Sequence, residues 1–503
     1  MPRPFGVPKR PMPQWQSHGE VMQSRLETIL AYFEQVNAIP RCSKNEHRLC
    51  RWLRDWAGAH GLDATVDSTG NLVVRVPAAA GQESRPTVVL QSHMDMVCEK
   101  TPESPHNFAE DPIRSRREGD WLMADRTTLG ADNGIAIAYA MALAENRNPR
   151  RPPMELLFTV DEETGLNGVK AMAPDLIKGR ILINLDSEDE GVFTIGCAGG
   201  LDTSVELNLE TEPLPPDHMA FKVIVGGLKG GHSGIDIHKH RGNANRILAR
   251  TLARVCQMAS CRLIALKGGT RHNAIARDAE ALITARHAGQ GPLEHAVASM
   301  DDIVRQEYHP HEPEVSIRME PAELPAGSHC LTQDDTARAI WLLLAMPHGV
   351  AGMSPAIKGL VETSSNLAIA RIHQGHLNIL SSQRSAVASR LGEVTATVHA
   401  VADLAGASCR DDNKYPAWQP DMDALLLLQA RDVYKTLFDK DPCLQVIHAG
   451  LECAVIGDRY PGMQMISFGP TIRNPHSPTE RLHIPSIEPV WRLLVGLLEV
   501  VGR

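Results

Sequence analysis

Residues 87–97 read TVVLQSHMDMV, an apolar run, Thr87-Val-Val-Leu90, that ends in a histidine and an acid two positions apart, His93 and Asp95. A continuous apolar run of this length reads as a strand buried on both faces, the habit of parallel sheets covered by helices. Ligands of such sheets bind outside the carboxyl ends of the strands, where the following loops share one rim. The polar end of this run therefore predicts both a fold and the place to look for a site.

Working outward, residues 20–190 alternate helix and strand. Helical spacing covers 24–38 and 46–60, strands are predicted at 71–76 and 87–91, and GIAIAYAMALAEN (134–146) reads as a buried helix. A strand at 155–160, a helix over 168–178 and a strand at 180–185 follow. This pattern predicts a doubly wound, mostly parallel α/β domain. After Gly199-Gly200 the strands change to alternating apolar and polar residues, as in 203–209 and 314–319, with amphipathic helices at 243–259 and 334–346. Alternation marks strands with one solvated face, so a second, α+β domain is expected. RDDNKYPAWQPDMD (410–423) reads as a connector back to the first domain, completed by a strand at 464–468 and a helix near 490–500. The expected division is a flexible extension at 1–20, a first domain from 21–200 and 411–503, and an inserted second domain at 201–410.

Bulk properties narrow the function. At about 150 residues per domain, a chain of 503 residues predicts two or three domains. With 51 Lys plus Arg against 60 Asp plus Glu, the net charge of -9 offers no general attraction to phosphate backbones or anionic lipid. Neither nucleic acid nor a membrane is an expected partner, and no apolar run approaches the roughly 18 residues of a membrane span. The ten cysteines are scattered without a C-x-x-C pair, which argues against a disulfide framework or a thiolate metal site and fits a reducing, cytoplasmic compartment. The proline-rich start, MPRPFGVPKRPMPQ, lacks the apolar core of a secretory signal.

The other strand ends carry acids too. Strand 155–160 delivers Asp161, Glu162 and Glu163; strand 180–185 delivers Asp186, Glu188 and Asp189; strand 464–468 leads to His476; and Asp132 stands just before helix 134–146. Singly, each has a plain structural reading: a satisfied histidine, a helix N-cap, a solvated turn. Together on one rim, the carboxylates would repel one another unless a cation sat among them. Histidine and carboxylate without thiolate suit zinc, and also manganese or cobalt. Two ions could share a bridging carboxylate and acidify a water, with a spare carboxylate as general base.

The segments SHMDMV (92–97), LGADNGI (129–135), TVDEETGLNG (159–168), INLDSEDEG (183–191), GGLKGGHSGIDI (226–237) and NPHSP (474–478) resemble, in order, those of the aminoacyl-histidine dipeptidases. These are di-zinc aminopeptidase-like hydrolases. The resemblance, which runs from about residue 24 to the C-terminus, implies a mostly parallel α/β catalytic domain with an inserted α+β lid that also dimerises. It implies that Asp132 bridges two metals, that His93 and Asp186 complete one ligand set and Glu163 and His476 the other, that Glu162 is the base, and that Asp95 orients His93. His232, in GGHSG, would stabilise the oxyanion at a neighbouring subunit's site. Asn273 and Arg384 would meet the substrate carboxylate, and Glu452 would either meet the substrate amine or hold the rim. The expected activity is hydrolysis of unblocked dipeptides, Xaa-His and β-alanyl-histidine above all, by a metal-bridging hydroxide. The alternatives are an N-acyl amino acid deacylase, a tripeptidase, or a non-catalytic binding protein on the same fold.

Overall fold

The computed structural model describes residues 19–502 save 147, 326 and 356, and the backbone alone for residues 19–24. The proposed N-terminal extension therefore lies almost entirely outside the described residues. The chain divides into two compact units. The first comprises the described residues up to Phe193, Asp423–Cys443 and those from Gly462 onward; the second comprises Thr194–Met422 and Leu444–Pro461. Leu444–Pro461, expected in the first domain, thus belongs to the second and takes Glu452 with it.

In the first unit six strands lie in the order Asp63–Val66, Leu72–Val76, Met154–Thr159, Val88–His93, Ile181–Asn184 and Gln464–Ser467. The last four are mutually parallel, and antiparallel pairing is confined to the two at one edge. Every residue of Val88–His93 and of Met154–Thr159 is buried, as the apolar runs predict for strands covered on both sides. The helix Ala131–Glu145 is apolar all round and buried along nearly its whole length, which suits a core helix. Asp132 and Asn133 lie outside helical φ/ψ, so regular helix begins at Gly134.

Two expected elements differ. The helix predicted over 168–178 is one turn, Asn167–Lys170. Beyond it the backbone bonds elsewhere: Ala173 donates to Asp67, and Lys178 and Gly179 donate to the buried carboxylate of Glu155, while Pro174 cannot donate at all. The connector at 410–423 begins as a strand, Ser408–Tyr415, paired antiparallel with Gly199–Asn208. Its mostly exposed, charged face is what an edge strand carries to discourage further pairing, and that polarity gave it the look of a loop.

The second unit is a nine-stranded antiparallel sheet, running from Ser316–Ala322 at one edge to Ser408–Tyr415 at the other, with Gly349–Met353 added beside Val361–His373. Its helices Ala244–Met258, Gln290–Tyr308 and Gln333–Ala345 share one core with the sheet, in which Leu248, Leu252, Leu293 and Leu343 pack with Val223, Ile283 and Leu367. Burying each such side chain contributes about 1.5–3 kcal/mol.

Cys42 pairs with Cys98, and Cys256 with Cys261, contrary to the expectation of unpaired thiols. The first pair is separated by 56 residues and meets because Cys42 bridges to Met96 beside the end of a central strand, a contact that spacing alone does not reveal. Scattered cysteines therefore give no argument for a reducing compartment. Among the described residues no helix is long and apolar enough to cross a membrane.

Candidate metal centre

The rim of the parallel sheet gathers all seven residues expected there in the first unit: His93, Asp95, Asp132, Glu162, Glu163, Asp186 and His476. His93 Nε2 lies 3.0 Å from Asp132 Oδ1 and 3.4 Å from Asp186 Oδ1. His476 Nε2 lies 3.0 Å from Asp132 Oδ2 and 3.1 Å from Glu163 Oε2. Two ligand triads, His93-Asp132-Asp186 and Asp132-Glu163-His476, thus share Asp132, each with its atoms within 4.8 Å of one another. A carboxylate oxygen of Glu162 lies within the same distance of His93 and Glu163.

The electrostatics call for a cation. Burial, reinforced by Asp132 and Glu163, raises Asp186 to about 6, although His93 pulls it down. Burial, reinforced by Asp132 and Asp186, raises the neighbouring Glu188 to about 8. Buried carboxylates this crowded do not all stay ionised unless positive charge lies between them. Glu163 Oε1, buried and without a hydrogen-bond partner among the described residues, fits the same requirement. The donor set, imidazole and carboxylate alone, suits zinc, manganese or cobalt.

Asp95 holds the rim together from behind. It lies 3.4 Å from His93 Nδ1, and its two oxygens accept the N–H groups of Glu162 and Glu163 and the hydroxyl of Ser43. Against the upward push of burial, His93 and these donors hold its pKa down to about 2. One carboxylate therefore contacts the His93 imidazole, as a group that orients a metal ligand would, and positions the turn that presents the two glutamates.

Two residues that the sequence did not single out brace Asp132. Glu480 accepts the N–H groups of Leu129, Gly130, Ala131 and Asp132, satisfying donors that a helix start leaves free. Burial raises its pKa to about 7 despite those donors. Arg41, 1% exposed, donates to the carbonyls of Met94, Asp95 and Gly130. A Cβ at Gly130 or Gly134 would stand about 2.5 Å from its Nη2, so both glycines make room for the guanidinium. In the sequence Arg41 and Glu480 look like ordinary loop residues; only their convergence on one loop sets them apart.

The remaining expected residues, His232, Asn273, Arg384 and Glu452, lie in the second unit. His232 Nδ1 accepts the N–H groups of Gly234 and Ile235, which fixes the tautomer with the proton on Nε2. Burial, then the charge of Arg384, lowers its pKa to about 4; at neutral pH it is an uncharged donor. Asn273 is exposed and offers its carbonyl to Ser233 N–H. Glu452 is buried at the start of the helix Glu452–Arg459.

Arg384 is buried and donates to the Tyr415 hydroxyl at 2.8 Å. Cross-strand pairing puts Ser364, Arg384, Gly200 and Tyr415 in one row, and a Cβ at Gly200 would meet the Tyr415 hydroxyl at 2.5 Å. Gly200 thus lets the phenol lie across the sheet and steady the guanidinium, giving a reason for the paired glycines at 199–200. If Arg384 anchors a substrate, Tyr415→Phe raises KM roughly fivefold, the worth of one hydrogen bond near 1 kcal/mol, and leaves kcat near the parent value; steady-state kinetics checks this.

His448, also unanticipated, is buried, with Nε2 2.8 Å from Ser364 Oγ. Burial, then Arg384, holds its pKa down to about 3. An ordinary imidazole takes its proton near pH 6.5, so between about 6.5 and 3 the unfolded chain binds the extra proton and stability falls as pH drops. Urea midpoints measured from pH 7 to 4 are expected to decline, and to decline less in His448→Gln.

This fold and rim define a metallopeptidase, and the chain belongs to peptidase family M20/M25/M40, which residues 89–500 match. Over 482 residues it is 38% identical to the cytosol non-specific dipeptidase of Escherichia coli (strain K12), covering 96% of this chain and 99% of that one. The structure of aminoacylhistidine dipeptidase from Vibrio alginolyticus superposes with a TM-score of 0.87 at 37% identity, covering 94% of this chain and 96% of that one. Aminopeptidase PepT from Bacillus cereus ATCC 10987 shares the fold, with a TM-score of 0.55 at 16% identity over 95% of this chain and 99% of that one. The resemblance in the sequence is thereby borne out at the level of family, fold and hydrolase class.

Proposed function

We propose that the protein hydrolyses unblocked dipeptides, preferentially Xaa-His and including β-alanyl-histidine, with two divalent metal ions, zinc by preference. The observation that carries this reading is the pair of ligand triads sharing Asp132 with Glu162 at their side. His93 and Asp186 would hold one ion, Glu163 and His476 the other, with Asp132 shared between the two sets. When bound, the ions supply a water of lowered pKa and a Lewis acid for the peptide carbonyl. Glu162 takes the proton of the attacking water and passes it to the leaving amine. His232, neutral with its proton on Nε2, donates to the developing oxyanion, reaching a partner subunit's site in a homodimer formed through the second unit. Arg384, with Asn273, receives the substrate carboxylate as a planar fork, and Glu452 either meets the substrate amine or holds the rim. The name of the Escherichia relative supports a cytoplasmic dipeptidase, and that of the Vibrio relative supports the Xaa-His preference.

The test is a substrate panel on protein stripped with chelator and reloaded with zinc, manganese or cobalt. Ala-His and β-alanyl-histidine are expected to turn over faster than dipeptides lacking histidine, N-acetyl amino acids and Ala-Ala-Ala. Faster deacylation or tripeptide cleavage would replace the reading, and no hydrolysis with any metal would make the chain a binding protein.

A further inference from the structure

A cavity of about 490 Å³ lies in the first unit, where the helix His47–Ala59 faces residues 66–70 and the loop after Met154–Thr159. Four basic side chains line it: Lys44, His47, Arg51 and Arg54. The last three recur at i, i+4 and i+7, so they share one face of the helix, and Lys44 lies in the turn that leads into it. Among the described residues none of the four makes an ion pair or a side-chain hydrogen bond. In a chain of net charge -9, three permanent cations and an imidazole meet around one hollow that holds two carboxylates, Glu46 and Asp161.

These two carboxylates leave the cations in excess, and among the described residues neither is ion-paired with the four basic side chains. Glu46 is buried and already accepts the N–H groups of Lys44 and Asp161. Asp161 accepts the Thr164 hydroxyl and the Asn167 amide. Two guanidinium forks beside an ammonium match a doubly charged, multi-oxygen anion better than a single carboxylate. Glu46 also links the hollow to the turn behind it, because the Asp161 N–H it holds begins the segment that presents Glu162 and Glu163.

We propose that this cavity is a separate binding site for a small phosphate-bearing anion, coupled through Glu46 to the loop Asp161–Glu163. An anion drawing Lys44 inward moves the backbone N–H that Glu46 accepts, and through Glu46 the start of that loop. Occupancy therefore changes turnover without contact with the metal-ligating side chains.

Isothermal titration of the metal-loaded enzyme with inorganic phosphate and with ribose 5-phosphate tests the site. Arg51→Ala/Arg54→Ala, which removes two exposed side chains, is expected to weaken binding at least tenfold while basal turnover stays unchanged. Lys44→Ala provides a second variant should the double one fold poorly. Phosphate held by metal ions instead would bind the variants and the parent alike, so equal affinity, like an absence of binding at millimolar phosphate, overturns the proposal. Tighter binding of ribose 5-phosphate identifies a phosphomonoester as occupant, and tighter binding of inorganic phosphate identifies the free ion. Saturating anion is expected to change kcat in the parent and not in Arg51→Ala/Arg54→Ala; an unchanged kcat in the parent overturns the coupling.

Discussion

Glu162→Gln is expected to lower kcat by about a hundredfold to ten-thousandfold, the range that a positioned general base contributes, with metal content equal to the parent's. The side chain keeps its size and loses only its capacity to take a proton. Its backbone N–H still bonds to Asp95, so the turn and the neighbouring Glu163 stay in place. Metal analysis alongside steady-state kinetics separates the two effects. Turnover within tenfold of the parent would remove Glu162 from the mechanism, and lost metal would make it a ligand instead of a base.

Asp132→Ala is expected to be still more damaging, because one residue serves both triads. Outer partners of metal ligands cost about 10–100-fold in affinity when removed; loss of a shared ligand is expected to exceed that at both positions. The imidazoles depend on it as well. Hydrogen bonds to Asp132 and Glu163 raise His476 to about 11, and without Asp132 that ring loses the first of its two acceptors. The expected result is a folded protein that retains neither ion through dialysis and shows no measurable hydrolysis. Retention of the parent's metal content would show that the triads do not depend on a bridge. Glu480 and Arg41 make the folded outcome reasonable, since they fasten the backbone at and just before Asp132 and not its carboxylate.

Much of this centre was legible in the sequence because buried parallel strands announce themselves as apolar runs, and such runs end at one rim. That rule delivered His93, Asp95, Glu162, Glu163 and Asp186 together with Asp161, Glu188 and Asp189, the strand Gln464–Ser467 pointed to His476, and the family resemblance chose among them. Arg41 and Glu480 were not legible: IPRCSK and SPTER have the composition of surface turns, and only long-range closure brings both to residues 129–132. Tyr415 was hidden for a related reason, since its strand carries the charges of an exposed edge and resembles a connector. The failed helix at 168–178 shows local spacing overruled by Glu155 and Asp67, which take its backbone donors from outside the segment. The Cys42–Cys98 pair likewise depends on a bridge between distant segments.

Strand Gln464–Ser467 lies beside Ile181–Asn184 in the first unit's sheet, and His476 and Glu480 follow it. A ribosome making this chain completes the second unit's sheet before it supplies these last parts of the first. At roughly 5–20 residues per second, the edge of Ile181–Asn184 waits some tens of seconds for its neighbour. During that interval the nascent protein exposes an unpaired, apolar strand edge, the kind of surface that chaperones cover. If His476 serves the centre, peptidase activity arises only once that residue has been made, and the growing chain is inactive until then.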